Sequence, residues 1–507
     1  MFCNAPGTIC SYLQGWVGLT VRDVRHYVAR IPHRKKAPVL GLIGVVLSLV
    51  LLIYFAYKGY SIILLAPVTA LVAGIFAGAP LMAMYTQVFM PAMGGFLITY
   101  FPLFLLGALF GKLMNDSGSA YSIARFIVER VGAKHAVLAV VTACGILAYG
   151  GVTVFVVVFA IWPIARELFQ EAGIPKRFAP AAIALGSFSF AMTAIPGTPQ
   201  IQNAIPAPYF QTDAFAAPGL GLIAGAIMYV GGVLYLNRRV AAARAKGEGY
   251  DDGALMQGEQ TTGIGQEEEA AVPTTTPFWV AMLPIVLVIT LNFLLVRYIF
   301  DLFDFSYLAE EKFKATSIDK VGGIWAIIIS LLVACLLVLA LNWNRLRERK
   351  KLLNQGAASS FLPIMNTASE VGYGAVIAAL PAFAIIRDGA FGVSSNPAVS
   401  LAVSTNIVAG ITGSASGGLS IAMNAFGAEY AARAAEVGID PEFMHRVASL
   451  AAGGFDALPH NGAVITVLAV TGLTHRQSYK DIGVVCVLIP LVALAVVLAL
   501  GSAVGSF

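Results

Sequence analysis

Two small polar stretches interrupt strongly apolar surroundings, and each is followed by a proline-containing partner. Gly150-Gly151-Val152-Thr153 precedes Pro196-Gly197-Thr198-Pro199-Gln200, and Thr412-Gly413-Ser414-Ala415-Ser416-Gly417-Gly418 precedes Asp456-Ala457-Leu458-Pro459-His460-Asn461. Thr153 to Thr198 is 45 positions (198 − 153), and Ser414 to Pro459 is also 45 (459 − 414). Irregular backbone at membrane depth survives only where protein or a water-filled cavity surrounds it. Interrupted apolar segments at matching places in two halves point to a transporter's binding site.

The first member of each pair reads as a hairpin tip. Two half-helices meeting at glycines such as Gly151 and Gly417 aim backbone N–H groups and positive dipole ends at one point. Hydroxyls of Thr153, Thr412, Ser414 and Ser416 add donors and acceptors. Such a tip suits a carboxylate, a hydroxylated organic anion or a small cation held by carbonyls. The competing reading is small-residue helix packing, common in membranes. The second member reads as a broken helix. Pro196 and Pro199 lack an N–H, so carbonyls are freed beside Thr198 and the amides of Gln200, Gln202 and Asn203. In the second copy, His460 and Asn461 follow Pro459. A simple proline kink is the alternative there. The expected substrate-binding set is therefore Gly151, Thr153, Thr198, Gln200, Gln202, Asn203, Thr412, Ser414, Ser416, Gly417, His460 and Asn461.

Ionisable residues within apolar segments are functional by default. Asp116, Glu370, Asp456 and His460 are the expected proton carriers, the carboxyls through burial and His460 through its ordinary range. For Asp116 the alternative is an ion pair with Lys112, four residues earlier. No Arg or Lys is expected at the site, so helix dipoles and amides would neutralise the ligand, which favours a monocarboxylate. The five cysteines have no metal-ligand spacing, and no catalytic dyad or metal cluster is expected. The expected protein is not an enzyme and needs no cofactor beyond a coupling ion.

The elements around these residues follow from composition. The chain has 507 residues, 58% hydrophobic and 12% charged, with mean hydropathy +0.80, which gives an all-α polytopic membrane protein. Its net charge of +5 reflects basic residues at the ends of apolar runs, and no nucleic-acid partner is implied. Residues 1–37 read as a basic extension on the cytoplasmic surface. Residues 237–276, charged and aperiodic, read as a cytoplasmic linker between two halves. Apolar segments run at 38–57, 61–79, 81–97, 98–114, 135–149, 152–165, 178–195, 201–210 and 216–236. They resume at 278–300, 321–342, 357–386, 397–411, 418–430, 443–456, 461–473 and 482–504. Counting them against the Lys and Arg clusters brings one hairpin in from each face. That is an inverted repeat with 38–57 as an extra helix, a cytoplasmic N-terminus and a periplasmic C-terminus. The count requires 81–114 to be two spans.

The runs FGKLMNDSGSAYSIA (110–124), AIPGTPQIQNAIPAPYF (194–210) and FDALPHNGAVITVLAVTGLTHRQSYKDI (455–482) resemble the GntP-type gluconate permease family of the ion transporter superfamily. The resemblance covers most of the chain from about residue 40. It implies proton symport of gluconate, other sugar acids or hydroxybutyrate across the bacterial inner membrane. It further implies a homodimer working as an elevator. The scaffold would be 38–114 and 278–386, and the transport domain 119–236 and 395–507. The tips lack the Ser-Asn-Thr motif of the dicarboxylate relatives, a departure from dicarboxylate specificity and from a two-sodium scheme. Sodium-coupled symport and cation/proton antiport are the rival transport readings.

Overall fold

The structure, a computed structural model, describes residues 37–58, 60–250, 276–346, 348–459 and 461–507. Among them every regular element is helical. Helix α1 (Ala37–Tyr57) and α2 (Ile62–Ala77) pack side by side. Gly78, at φ +66°, ends α2 by donating its N–H back into the last turn.

Then α3 runs unbroken from Leu81 to Asp116, with a π turn at Met84–Phe89. This corrects the expectation of two spans at 81–97 and 98–114. No turn residue separates those segments, and Pro102 lies inside the helix, costing one backbone bond rather than a stop. At 36 residues α3 is about 54 Å long, beyond the ~30 Å hydrocarbon core, and a helix of that length must tilt or protrude.

The correction changes the count of crossings. Three helices, α1 to α3, now precede the first hairpin, so 38–57 is no longer an extra helix. With one crossing each, the path from Ala37 to the linker is five crossings instead of six. An odd count would put Ala37 and the linker on opposite faces, where the expected topology put the N-terminus and the linker on one. Residues 1–36 themselves lie outside the described residues.

Amphipathic α4 (Ser119–Val131) bends by 100° into hairpin 1, made of α5 (Ala136–Tyr149) and α6 (Val154–Glu171). The first broken helix follows as α7 (Ala179–Phe188), α8 (Phe190–Thr193), α9 (Ile201–Ala204) and α10 (Ala207–Phe210). Helix α11 (Pro218–Arg244) returns to the linker. Beyond it come α12 (Phe278–Leu302), α13 (Ile318–Leu341), short α14 (Arg349–Ser359), α15 (Phe361–Ala379) and α16 (Phe383–Phe391). Hairpin 2 is α17 (Pro397–Thr412), α18 (Ala415–Ala422) and α19 (Ala428–Glu436), with a π turn between the last two. The second broken helix is α20 (Pro441–Ala452) and α21 (Gly462–Thr471), and α22 (His475–Val504) closes the chain.

Packing follows the pairing seen in the sequence. Hairpin 1 lies on the first broken helix (α5 on α7), and hairpin 2 on the second (α17 on α20). The halves also interlock, α6 against α21 and α18 against α9. Helix α15 packs against α2 and α3 on one side and against α18 of hairpin 2 on the other. On the linker side, buried Asp481 accepts from Arg239 Nε (2.9 Å) and Tyr235 (2.9 Å), with Arg177 at 3.7 Å, which ties α22 to α11 and to the start of α7.

Candidate functional site

Each break is held open by one amide from its own far edge. Gln200 precedes α9, and its Nε2 donates to Ala148 O at 2.8 Å, the end of α5. Asn461 precedes α21, and its Nδ2 donates to Gly413 O at 2.9 Å, the end of α17. The two amides are 261 positions apart (461 − 200), as are the tip residues Thr153 and Ser414 (414 − 153). Both amides thus fasten a hairpin tip to its broken helix.

Tip 1 is closely packed. Gly151, at φ +92°, approaches Pro199 so tightly that a Cβ would stand 2.8 Å from the proline Cγ. Gly111 on α3 lies beside Thr153, 3.6 Å from its backbone N to a built Cβ. At tip 2, Ser414 caps α18, its Oγ accepting from Gly417 N–H at 3.0 Å. Thr412 turns its hydroxyl back onto Val408 O (3.0 Å) and Ala409 O (3.2 Å). Ser416 Oγ is 3.5 Å from Thr367 Oγ1 on α15. Glu370, also on α15, brings its carboxyl against Gly417, where a Cβ would collide with Oε2. An acid therefore faces the first turn of α18, the dipole position expected to hold a substrate carboxylate.

The two breaks touch each other. Ser449 Oγ donates to Thr193 O (2.9 Å), and Gly453 faces the Thr193 side chain. Asn203 is occupied structurally: its Nδ2 donates to Ala214 O (2.6 Å) and Thr198 O (3.3 Å), and its Oδ1 accepts from Arg446 Nη1 (3.2 Å). In break 2, Ala457 O and Pro459 O lie against Tyr479 (3.2 Å) and His475 (2.7 Å). His460 lies outside the described residues.

Arg446 corrects the expectation that no basic residue lies by the site. It is fully buried on α20 and donates to Ala216 O, Ala194 O and Asn203 around break 1. The signal was present, since Arg446 interrupts the apolar run 443–456, where a charge marks function by default. Thr367, Ser369 and Asn366 on α15 were also missed. They sit within one turn of Glu370 in a segment singled out for its acid alone.

Among the expected residues, four carry buried atoms with no hydrogen-bond partner: Thr198 Oγ1, Gln202 Oε1, Glu370 Oε2 and Asp456 Oδ1. Asn366 Oδ1 and Ser369 Oγ on α15 share this state. Buried polar groups are normally paired, so each of these atoms calls for water, a proton or a ligand. Asp116 is elsewhere. It ends α3 in an ion pair with Lys112 at 3.1 Å, a quarter exposed.

Long apolar helices, two hairpins and two broken helices around buried polar groups define a multi-pass membrane transporter. The GntP family permease profile matches residues 38–504, and the chain belongs to that family. It is 44% identical over 474 residues to the uncharacterized transporter YxjC of Bacillus subtilis, covering 92% of this chain and 100% of that one. A stretch of 158 residues is 30% identical to the high-affinity gluconate transporter of Escherichia coli, covering 29% and 33% of the two chains. The solved structure of Neisseria gonorrhoeae MtrF, described as illuminating a class of antimetabolite efflux pumps, aligns at TM-score 0.50. It covers 83% of this chain and 84% of that one at 15% identity, a likeness of fold alone. The chain is a transporter and not an enzyme.

Proposed function

We propose that this protein takes up a small organic acid anion, a sugar acid such as gluconate or a hydroxy monocarboxylate such as hydroxybutyrate, by proton symport. The observation that carries the reading is the set of unpartnered buried atoms on Thr198, Gln202, Glu370 and Asp456. Hydroxyl and amide groups suit a hydroxylated acid, and the two carboxyls suit a proton. The partial match to a gluconate transporter supports the substrate class. With Asp116 paired to Lys112, Glu370 and Asp456 are the stronger proton candidates of the original set.

The motion is an elevator of two inverted repeats. The matched amides of Gln200 and Asn461 support the repeat, and the odd crossing count supports its inversion. Hairpins and broken helices move as one unit past a scaffold of α1–α3, α12, α13 and α15, in a homodimer in the bacterial inner membrane. Part of the seam between the two units is apolar. Gly150 meets Ile285, Gly151 meets Leu331, and Gly374 meets Ile421. Glycine against an aliphatic side chain presents few polar contacts to break during sliding.

A thermal-unfolding screen of purified protein against sugar acids, hydroxy acids and dicarboxylates tests the reading. A true ligand at a hundredfold its Kd stabilises by about 2.7 kcal/mol. Stabilisation by a hydroxylated monocarboxylate, unchanged when sodium is replaced by choline, supports it. Stabilisation by inorganic cations alone favours antiport and overturns it.

A further inference from the structure

We propose that Arg446 is the resident counter-charge of the transported anion, a positioning residue that sets charge selectivity through the break it holds. The inference rests on the organic-anion reading above. The guanidinium is fully buried and donates to neutral acceptors only: Ala216 O from Nε (3.0 Å) and Nη2 (2.7 Å), with Ala194 O and Asn203 Oδ1 from Nη1 (3.2 Å each). Among the described residues no carboxylate lies within 4.0 Å of it. The acids that act on it from farther away are Asp213 and Glu442. Both have other partners. Asp213 accepts from Phe215 N–H (2.6 Å) and faces Arg297 (3.7 Å), while partly buried Glu442 accepts from Ala217 N–H (3.0 Å). His445, the adjacent residue, directs Nδ1 to Thr212 (2.6 Å), and the Tyr149 hydroxyl donates to Pro196 O (2.9 Å).

A neutral donor would make hydrogen bonds to carbonyls without the large cost of dehydrating an ion. What the guanidinium adds is charge. Asn203 relays it: one side of the amide accepts from Arg446, and the other donates to Thr198 O, on the residue whose own hydroxyl is unpartnered. The substrate carboxylate is thereby held in a positive field without touching the arginine.

The charge also sets a balance within the unit that carries the substrate. Its break-2 acid is Asp456, 2% exposed. With the site empty, ionised Asp456 offsets Arg446. With the anion bound, the substrate offsets Arg446 and Asp456 takes up one proton, which it releases on the far side. One monoanion then moves with one proton and no net charge. A dianion would lack a second counter-charge.

The test uses the full-length protein in proteoliposomes, with labelled gluconate as the probe and unlabelled gluconate and gluconamide, its neutral amide, as competitors. Wild type prefers gluconate by about thirtyfold, the size of a charge-assisted interaction. Arg446→Gln brings that ratio close to one, and Arg446→Lys keeps it while slowing transport, because an ammonium lacks the fork that holds break 1. A wild-type ratio in Arg446→Gln overturns the proposal. Should Arg446→Gln not fold, the ratio in Arg446→Lys and the wild type under an imposed potassium diffusion potential decide. Loss of the ratio in Arg446→Lys, or potential-driven accumulation above about tenfold in wild type, overturns it. Wild-type vesicles that take up no organic acid at all contradict the transport reading instead.

Discussion

The carboxyl of Glu370 lies directly against the Cα of Gly417, so that the tip of hairpin 2 closes onto an acid from α15. A single added methyl there must push the Glu370 carboxyl aside. Gly417→Ala should lose most uptake while the protein stays folded, with destabilisation of about 1–3 kcal/mol from overpacking. Glu370→Ala in the same chain should relieve the overlap and recover the thermal midpoint. Uptake assays and unfolding curves on the single and double variants check both statements.

The unpartnered hydroxyl of Thr198 separates binding from stability. Thr198→Val keeps the shape and removes a buried group that has no partner. It should leave stability unchanged or raise it by about 1 kcal/mol, while KM rises about tenfold. Asn203→Ala should raise KM as well, because it cuts the link from Arg446 to Thr198, but it should differ in stability. It strands Arg446, Thr198 O and Ala214 O, and should cost about 2 kcal/mol of stability. Denaturation separates the two variants, and transport kinetics show the KM effect that both share.

Asp481 should matter for assembly alone. Its side chain is 1% exposed and shared between Arg239 and Arg177, which are 31% and 20% exposed. Asp481→Asn should cost about 2–3 kcal/mol, below the usual figure for a wholly buried pair because water screens the arginines. The KM of what remains folded should be unaltered, as kinetics normalised to folded protein will show.

Topology gives a further check. With α3 as one span, the crossing count predicts that Pro38 and Lys246 lie on opposite faces. In a chain whose five natural cysteines are replaced, Pro38→Cys and Lys246→Cys should react with an impermeant maleimide from opposite sides of sealed vesicles. Labelling of both from the same side would restore a two-span reading of 81–114.

Much of this arrangement was legible in the sequence because helix breaks in apolar runs leave few alternatives. Pro196, Pro199 and Pro459 announce the breaks, and Gly151 and Gly413 the tips. The roles of the amides were less legible. Gln200, Asn203 and Asn461 looked available for substrate, yet all three hold backbone, since a freed carbonyl at depth takes the nearest donor. The continuity of α3 was hidden because the crossing count called for two spans in 81–114, while a membrane helix tolerates Gly94, Gly95 and Pro102 in its interior. Arg446 is legible as a charge inside the apolar run 443–456, but its carbonyl partners around break 1 lie 230 and 252 positions away and no local pattern shows them. The closeness of Glu370 to Gly417 joins residues 47 positions apart (417 − 370), a tertiary contact that no local pattern encodes.

The most direct test of organic-acid uptake by proton symport is gluconate accumulation in proteoliposomes holding the purified protein. With sodium absent and the lumen alkaline, labelled gluconate should accumulate above its external concentration, and a protonophore should abolish the accumulation. The same vesicles with Asp456→Asn should exchange gluconate across the membrane yet fail to concentrate it. Accumulation that ignores the pH gradient and follows a sodium gradient instead, or full concentrating activity in Asp456→Asn, would contradict the account.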